Sequence, residues 1–470
     1  MVDIQTDVAI IGAGTAGLAA ERHARQAGAR TLLIDPYFAG TTCATVGCMP
    51  SKLLIAAGNA AHTARMADGF GVRLPAPEID GPAVMKRLQA QRDRFVDATK
   101  ESIDDLPDGI CLKARAHFTG ATSLALEDGR AVQAKSIVIA TGASPVIPGP
   151  FKPVEDRIIT NETLFERADL PKSVGVIGAG PLGLEMAQAL ARLGVRVEVF
   201  DMGETLGGLP KGVVETSLRD ALGQEIPLRL GVKPEAQRLS DGVKLSWSGA
   251  ESGEAAFDHI LVAAGRAPNL EELSLEAAGL ELDEHGTPVF DPDTMQCGDA
   301  PVFIAGDADH DRPVLHEASA EGTIAGTNAA GFPDVQPMRR KVPLQIMFTD
   351  PNMATVGTTE GEEIVCGSAD YSDQGRAKAM RVNRGQCEIF ADARDGRLTG
   401  ARLVGPEIEH IAHLLAWSVQ DRVTASVLLD RPFYHPTLEE GLKSALQQIC
   451  AAVSAPKSPE RDDGFLPGAS

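Results

Sequence analysis

Two short apolar runs, each followed at once by a glycine-rich turn, dominate the hydrophobic pattern of this chain. They are residues 7–11 and 173–177. Unbroken apolar runs of this length are typical of strands buried on both faces of a parallel sheet. After each turn, apolar residues recur at helical spacing to about Gly28 and Leu193, and another apolar run follows. The pattern therefore predicts two β-α-β units.

The turn of each unit has the glycine spacing of a dinucleotide-binding site. Such glycines let the backbone approach a pyrophosphate at a helix N-terminus, and an acid about 20 residues on accepts a hydrogen bond from a ribose hydroxyl. The two sets correspond at one constant offset, with Gly12, Gly14, Gly17 and Asp35 matching Gly178, Gly180, Gly183 and Asp201. Two nucleotide sites are therefore predicted.

The acid of the second unit bears on the choice of nucleotide. Asp201 would repel a 2′-phosphate, and no arginine cluster follows it. The second site is therefore expected to favour NAD over NADP.

Three further apolar runs end in glycine turns, and each turn is a candidate for contact with a ligand. For Gly142 and Gly265 the alternatives are a crossover between domains and an ordinary tight turn. The turns are Thr141-Gly142, Gly265 and Gly306-Asp307.

The last of these turns carries an acid and precedes a helix. Asp307 is placed at a strand end, where it meets a sugar or ribityl hydroxyl or serves as a turn aspartate. The helix starting near His316 is rich in small residues. It is expected to pack closely on a cofactor.

Two cysteines five positions apart, Cys43 and Cys48, stand at the start of a predicted helix. Cys48 is expected just before the first turn, where the helix dipole and free N–H groups stabilise a thiolate. Cys43 is expected in the preceding loop, accessible to another molecule. Two structural thiols or half of a metal site are the alternatives for the isolated motif. Between two nucleotide sites, the pair is interpreted as redox-active, and no metal site is predicted.

Near the C-terminal end, His435 precedes a proline and lies five residues before Glu440. Thr437 and Glu440 have the spacing of a helix capping box. Glu440 is also spaced to orient the imidazole of His435 as a base for a thiol. Both roles remain open for Glu440.

Composition narrows the class of protein. The chain has 470 residues, 43% of them hydrophobic, and a formal net charge of −21. The charge disfavours nucleic acid and anionic membranes as partners and favours a basic protein partner. Seven cysteines, mostly isolated, are typical of a reducing compartment. Neither a signal peptide nor a membrane span is expected, so a cytoplasmic location is predicted.

The predicted fold class is α/β, with two Rossmann-like dinucleotide-binding domains and a C-terminal α+β domain. From about Arg339 the pattern changes to antiparallel strands followed by helices. The expected segments are a first dinucleotide-binding domain at 1–148, a second at 149–272, a central part completing the first domain at 273–338, a C-terminal domain at 339–455 and a disordered tail at 456–470.

Together these motifs resemble the class I pyridine nucleotide–disulfide oxidoreductases, and the dihydrolipoyl dehydrogenase branch most. The resemblance implies FAD at the first site, with Asp35 on its ribose and Asp307 on its ribityl or phosphate side. It implies NAD at the second site. The segments 1–148 and 273–338 would then form the FAD domain, 149–272 the NAD domain and 339–455 the interface or dimerisation domain. The cofactor-contacting residues it implies beyond the glycines and acids already named are Thr42, Lys52 near the flavin N5, Thr141, Glu185 paired with Lys52, Leu315 and His316.

The same resemblance assigns the catalytic residues. Cys48 would face the flavin, and Cys43 would exchange with substrate. His435, held by Glu440, would be the acid–base group supplied by the partner subunit of a homodimer. The implied reaction passes electrons between a dihydrolipoyl group and NAD, with a lipoyl-carrying protein and a basic subunit-binding domain of a multienzyme complex as candidate partners.

Alternatives remain for the substrate and for the class of protein. The same relay would serve another low-molecular-weight disulfide or a specialised carrier, and a docking component without catalysis is the non-enzymatic alternative. Thr41, Thr45, Phe433 and Tyr434 depart from the residues usual in lipoyl enzymes. Glutathione reductase-like enzymes use arginines for NADPH, soluble transhydrogenases lack the cysteine pair, and mercuric reductases carry a C-terminal vicinal pair, whereas Cys450 stands alone.

Overall fold

The computed structural model describes residues 4–453, so the predicted tail at 456–470 lies outside the described residues. Within that range the strands are β1 (Ile4–Gln5), β2 (Val8–Ile11), β3 (Thr31–Asp35), β4 (Cys111–Lys113), β5 (Ala116–Gly120), β6 (Ser123–Leu126), β7 (Ala131–Gln133), β8 (Ser136–Ile139), β9 (Ala143–Pro145), β10 (Ile158–Ile159), β11 (Ser173–Ile177), β12 (Arg196–Asp201), β13 (Leu228–Leu230), β14 (Val232–Leu239), β15 (Gly242–Gly249), β16 (Gly253–Phe257), β17 (His259–Val262), β18 (Arg266–Pro268), β19 (Val302–Ile304), β20 (Leu344–Met347), β21 (Asn352–Gly357), β22 (Ile364–Asp370), β23 (Gln386–Asp392) and β24 (Leu398–Gly405).

The α-helices of the same range alternate with these strands in the first two units. They are α1 (Thr15–Gln26), α2 (Thr42–Thr45), α3 (Cys48–Met66), α4 (Gly81–Asp104), α5 (Asn161–Leu164), α6 (Pro181–Arg192), α7 (Val213–Gly223), α8 (Leu315–Gly331), α9 (Gly375–Met380), α10 (Ile408–Gln420), α11 (Ala425–Leu429) and α12 (Leu442–Ala452).

The first unit is a five-stranded parallel sheet in the order β19-β8-β2-β3-β4. All residues of β2 and β8 are buried, which explains their unbroken apolar sequences. Strand β19 comes from the central segment and pairs with β8. A second sheet, β1-β7-β6-β5, lies in the same unit.

The second unit repeats this design. Its parallel sheet has the order β10-β17-β11-β12-β13, and an antiparallel sheet, β14-β15-β16, lies within the same part of the chain. The register is repeated as well, because Ile11 pairs with Ile34 in the first sheet and Ile177 pairs with Phe200 in the second. The duplication inferred from the glycine offset therefore extends to strand register.

Helix α8 packs on α1 through its glycines. A Cβ added at Gly322 or Gly326 would lie 2.2 Å from the carbonyl oxygen of Ala16 or Ala20, respectively. Only glycine permits so close an approach of the two backbones. The small residues of α8 thus serve helix packing on α1, where the sequence suggested packing on a cofactor.

Helix α3, which begins at Cys48, packs along α6 of the second unit. A Cβ at Gly58 would lie 3.0 Å from the carbonyl oxygen of Ala189, so the helices cross closely at this point. The same crossing carries buried polar contacts, since Arg192 donates to Asn59 at 2.6 Å and to Glu225 at 2.7 Å. The helix that begins at Cys48 is therefore fixed to the second unit.

The last part of the chain forms an antiparallel sheet in the order β20-β21-β24-β23-β22. Helices α10 and α12 pack on it, and a Cβ at Gly367 would lie 2.0 Å from the carbonyl oxygen of Ala445. The predicted fold class is confirmed, while the domain boundaries stay predictions. Among residues 4–453, no helix is long and apolar enough to cross a membrane.

Candidate active site

The first glycine of each turn is fixed by its backbone conformation and by the strand beside it. Gly12 has φ +104° and Gly178 has φ +110°. A Cβ there would lie 2.3 Å from the carbonyl oxygen of Ala140, or 2.4 Å from that of Ala263. The matching distances show that both turns are built against the end of the neighbouring strand in the same way.

The second glycine of each turn leaves space for a ligand. Nothing in the described protein lies within 4 Å of a Cβ added at Gly14 or Gly180. Each glycine is the N-cap of a helix that has no side-chain capping bond. First-turn N–H groups without such a cap, at the positive end of a helix, suit a pyrophosphate.

A buried polar atom beside the first turn also points to a ligand. The hydroxyl oxygen of Thr141 is buried without a hydrogen-bond partner, which is costly unless a bound group supplies one. Together with the space at Gly14, this places residues that fit a dinucleotide cofactor at the first turn.

The acids at the strand ends hold the glycine turns. Asp35 accepts a hydrogen bond from the N–H of Ala13 at 3.0 Å, and Asp201 accepts one from Ala179 at 2.6 Å. The other oxygen of Asp201 accepts from Gly203 at 2.6 Å. A carboxylate has about four lone-pair sites, so acceptor capacity for a ribose hydroxyl remains. The turn-fixing role was not foreseen from sequence.

The cysteine pair spans two consecutive helices. Cys43 lies in the short helix α2 and not in a loop, and Cys48 is the first residue of α3. Val46 and Gly47 separate the helices, and a Cβ at Gly47 would lie 2.8 Å from the carbonyl oxygen of Thr42. Thr42 itself is the first residue of α2, directly beside Cys43. This tight connection brings the two thiols together.

The unusual threonines of this loop have structural roles. Thr41 is the N-cap of α2, and its side chain accepts from the N–H of Ala44. The hydroxyl of Thr45 donates to the carbonyl oxygen of Thr41 at 2.9 Å. Their side chains therefore stabilise the turn that carries Cys43.

Exposure does not follow the predicted roles of the two thiols, since Cys43, expected to be accessible, is half-buried and Cys48 is exposed. Electrostatics distinguish them instead. The hydrogen bond from Cys43 lowers the pKa of Cys48 to about 6, assisted by the charge of Lys52. The same hydrogen bond raises the pKa of Cys43 far above its usual value. In the dithiol form Cys48 is therefore the thiolate and Cys43 the thiol donor.

Lys52 joins the cysteine helix to the second unit. Its Nζ lies 2.8 Å from Oε2 of Glu185, which is buried on α6. The other oxygen of Glu185 accepts from the N–H of Phe348 at 2.8 Å, and Lys52 Nζ lies 4.5 Å from the centre of the Phe348 ring. Phe348 was missed because nothing in its local sequence indicates a contact 163 residues away.

The remaining glycine turns connect the two units. After Gly265, strand β18 pairs antiparallel with β9 of the first unit. Asn269 donates from its backbone to Gly142 at 2.9 Å and from its side chain to the carbonyl oxygen of Thr141 at 3.0 Å. Of the roles left open for Gly142 and Gly265, the structure shows the crossover between domains.

Asp307 lies in the 3₁₀ turn Gly306–Ala308, 3.7 Å from Nε of Arg266. Leu315 and His316 begin helix α8, and both are exposed. Partial burial of the ring lowers the pKa of His316. No hydrogen bond or ion pair of residues 4–453 joins Leu315 to another predicted site residue.

His435 and Glu440 form a dyad. Nδ1 of His435 lies 3.0 Å from Oε2 of Glu440, and the same oxygen accepts from the N–H of Thr437 at 3.1 Å. Glu440 therefore both caps the turn and holds the imidazole. Within the described range, no hydrogen bond or ion pair joins His435 to Cys43 or Cys48.

Comparison with known proteins gives the family. Residues 6–322 match the model of the pyridine nucleotide-disulphide oxidoreductases, and residues 344–446 match the dimerisation domain of the same family. A mercuric reductase from Acidithiobacillus ferrooxidans is 32% identical over 460 residues, which cover 95% of this chain and 83% of the relative. A dihydrolipoyl dehydrogenase from Thermus scotoductus is 32% identical over 459 residues, covering 94% and 97%.

Solved structures share the fold at lower identity. LpdA from Mycobacterium tuberculosis has a TM-score of 0.81 and 23% identity, with 95% of this chain and 99% of that chain covered. The HOCl-induced flavoprotein disulfide reductase RclA from Escherichia coli has a TM-score of 0.79 and 22% identity, with 94% and 99% covered.

These matches cover both nucleotide units and the antiparallel domain, and the dimerisation-domain match supports a homodimer. The family uses FAD and a pyridine nucleotide, in agreement with the two glycine turns. The chain belongs to the pyridine nucleotide-disulphide oxidoreductases and is a flavin disulfide oxidoreductase.

Proposed function

We propose that the protein passes electrons between a dithiol and NAD, with a dihydrolipoyl group as the first candidate substrate. The observation that carries this proposal is the unequal pair of thiols. Cys48 has a pKa of about 6 beside Lys52, and Cys43 remains protonated. A thiolate with a low pKa is a good leaving group in thiol–disulfide exchange.

The exchange starts from the Cys43–Cys48 disulfide. A substrate thiolate attacks Sγ of Cys43, the disulfide breaks, and Cys48 leaves as the thiolate that Lys52 stabilises. The second substrate thiol then attacks the substrate sulfur of the mixed disulfide and releases Cys43, which takes up a proton. Two electrons have moved from substrate to the cysteine pair, and the substrate is now a disulfide.

When bound, FAD supplies the two-electron acceptor that reoxidises the cysteine pair and the hydride donor to NAD. The residues proposed to hold it are Gly14 and Thr141, with Asp35 on the ribose and Asp307 on the ribityl or phosphate side. Lys52, held by Glu185, keeps a positive charge beside Cys48. Gly180 and Asp201 are proposed to hold NAD, because a carboxylate disfavours a 2′-phosphate.

His435 is proposed as the acid–base group that deprotonates the substrate thiol. Glu440 accepts from Nδ1 at 3.0 Å, which leaves Nε2 as the proton acceptor. Because no bond joins His435 to the cysteines of its own chain, we propose that it serves the partner subunit of a homodimer. Equal mixing of Cys43→Ser and His435→Gln subunits tests this, since mixed dimers regain one complete site. Roughly a quarter of wild-type activity is expected, and no recovery would contradict it.

The test of the substrate is the reduction of NAD⁺ by dihydrolipoamide. The wild-type holoenzyme is expected to reduce NAD⁺, to prefer it to NADP⁺, and to lose the reaction on Cys43→Ser. A protein that binds FAD and NAD but does not oxidise dihydrolipoamide would contradict the lipoyl assignment.

A second candidate is the reduction of another low-molecular-weight disulfide or a specialised carrier through the same relay. The relatives do not single out the lipoyl substrate, because a mercuric reductase is as similar to this chain as a dihydrolipoyl dehydrogenase is. Tyr434 also favours another substrate. It lies directly before His435, is 82% exposed and departs from the residue usual in lipoyl enzymes. Rates with lipoamide, glutathione disulfide and related disulfides, measured in both directions, separate the two candidates. A basic subunit-binding domain is the partner proposed from the net charge of −21.

A further inference from the structure

A buried group of charged side chains lies behind the Gly306–Ala308 turn. On helix α8, Glu317 is 2% exposed and Glu321 is fully buried. The guanidinium of Arg340 contacts both, at 3.3 Å from Glu317, and also reaches Asp311 at 2.6 Å. Sequence patterns gave no sign of this group, because Arg340 comes from the segment leading into the antiparallel domain.

Glu321 fixes the start of the turn. Its Oε2 accepts a hydrogen bond from the N–H of Gly306 at 2.9 Å. The turn ends at Asp309, whose N–H donates to the carbonyl oxygen of Gly306 at 2.8 Å. Asp307, proposed above for the ribityl or phosphate side of FAD, lies between these two anchored ends.

Asp309 is 5% exposed and is poorly paired for a buried carboxyl group. Its Oδ1 accepts from the N–H of Asp311 at 2.9 Å, and its Oδ2 has no hydrogen-bond partner. The side chain faces Glu321, close enough for a hydrogen bond between the two carboxyl groups. Two ionised carboxylates cannot form that bond, but an acid and a carboxylate can.

The charges of the group require a proton. Three buried acids, Asp309, Glu317 and Glu321, face the buried Arg340 and the partly exposed Arg312, which lies 3.6 Å from Glu317. Asp311 adds a further negative charge at the solvent-exposed rim. Glu317 and Glu321 each have an arginine partner. Asp309 has none, so the unbalanced charge falls on it.

We propose that Asp309 and Glu321 share one proton and that this proton holds the 306–309 turn in the conformation that binds FAD. With the proton present, Asp309 donates to Glu321, and both ends of the turn are fastened to helix α8. Without it, two carboxylates repel each other across the turn that carries Asp307. The inference depends on the FAD site of the family and not on the proposed substrate.

The titration behaviour of the group agrees with the geometry. Burial, followed by the charge of Glu321, raises the pKa of Asp309 to about 8. Burial also raises the pKa of Glu321, against the opposing effect of Arg340. The buried thiol of Cys297, near Asp309, has its pKa raised to about 12 and stays neutral in this range. The proton is therefore present at pH 7 and lost as the pH rises through 8.

The test is the affinity of the whole protein for FAD between pH 7 and 9, followed by FAD fluorescence on release. Since only the protonated form binds well, the wild-type dissociation constant is expected to rise about tenfold at pH 9. Asp309→Asn keeps a neutral donor, so its affinity is expected to vary little with pH. Asp311→Asn is the matched control at the rim and is expected to retain the wild-type dependence.

Three results would overturn the proposal: a wild-type affinity independent of pH, an Asp309→Asn protein that follows the wild type, or an Asp311→Asn protein that loses the dependence. If Asp309→Asn does not fold, infrared spectra of the wild-type holoprotein give a second test. The C=O band of a buried protonated carboxyl group is expected at pH 7 and absent at pH 9. Its absence at pH 7 would contradict the shared proton.

Discussion

The two nucleotide units share a scaffold but differ in what the chain inserts after the second strand. In both, a glycine turn closes against a neighbouring strand, and an acid accepts from the turn N–H at Ala13 or Ala179. After β3, the first unit carries α2, α3 and α4 with the cysteine pair, whereas β12 is followed by α7 alone before β13. The comparison shows that nucleotide binding is duplicated while the redox chemistry is an insertion in one copy.

The inserted helices of the first unit also contact the second unit. Lys52 comes from the first unit, and its partner Glu185 lies on the turn-following helix of the second. The charge that stabilises the Cys48 thiolate is thus positioned by the helix proposed to bind NAD. Through this ion pair, a residue of the second unit affects the thiol chemistry of the first.

Replacing either cysteine of the pair is expected to have the largest effect on activity. Cys43→Ser or Cys48→Ser is expected to lower dithiol-dependent NAD⁺ reduction by at least about a thousandfold, because no exchangeable disulfide remains. FAD content is expected to stay unchanged. Cys366→Ser, on β22 of the antiparallel domain, is the control and is expected to keep full activity. Activity retained in Cys43→Ser would contradict the relay.

The second largest effect on activity is expected at His435, which lies outside both nucleotide units. His435→Gln is expected to lower the rate with the dithiol by about 10²–10⁴-fold, the range of general acid–base catalysis. Glu440→Gln is expected to lose less, since the amide oxygen still accepts from Nδ1. His117→Gln, an exposed histidine on β5, is the control. Equal rates for His435→Gln and wild type would remove the dyad from the mechanism.

A matched pair of glycine variants tests whether the two turns bind different nucleotides. A Cβ at Gly14 or Gly180 meets no protein atom within 4 Å, so alanine is expected to leave the fold intact and occupy ligand space. Gly14→Ala is expected to weaken FAD binding by about 10- to 100-fold, or roughly 1.4–2.8 kcal/mol. Gly180→Ala is expected to raise the KM for NAD with normal FAD content. Identical effects of the two variants would contradict separate sites.

The smallest expected effects are shifts in the pKa of Cys48. Variants of Lys52 and Glu185, the ion pair between the units, are expected to shift it in opposite directions. The charge of Lys52 lowers the pKa of Cys48, and that of Glu185 raises it. Lys52→Met is expected to move the midpoint of Cys48 alkylation in the reduced protein to higher pH, and Glu185→Gln to lower pH. Shifts in the same direction, or none, would contradict the electrostatic account.

Sequence reasoning reached the parts of this molecule that depend on local pattern. The glycines, the acids and the cysteine pair have fixed spacings, since a turn and the first residues of a helix are set by neighbouring residues. The spacing of His435 and Glu440 is local as well, and the dyad follows from it.

Contacts between segments that are distant in sequence could not be predicted in this way. Phe348 against Glu185 and Arg340 against Glu321 join parts of the chain whose proximity the tertiary fold alone determines. A helix rich in small residues gives the same sequence pattern whether it packs on a cofactor, as predicted for α8, or on α1, as the structure shows. The sequence predicts a loop at Cys43 because a four-residue helix such as α2 has too few residues for a periodic signal.

The central claim, that Cys48 is the thiolate at the flavin and Cys43 the thiol that meets substrate, is tested most directly by visible absorbance of the holoprotein. A thiolate beside oxidised flavin gives a long-wavelength band. We predict this band in Cys43→Ser without any reductant, and in the wild type only after anaerobic addition of NADH. A band that is present in Cys48→Ser and absent from Cys43→Ser would contradict the assignment.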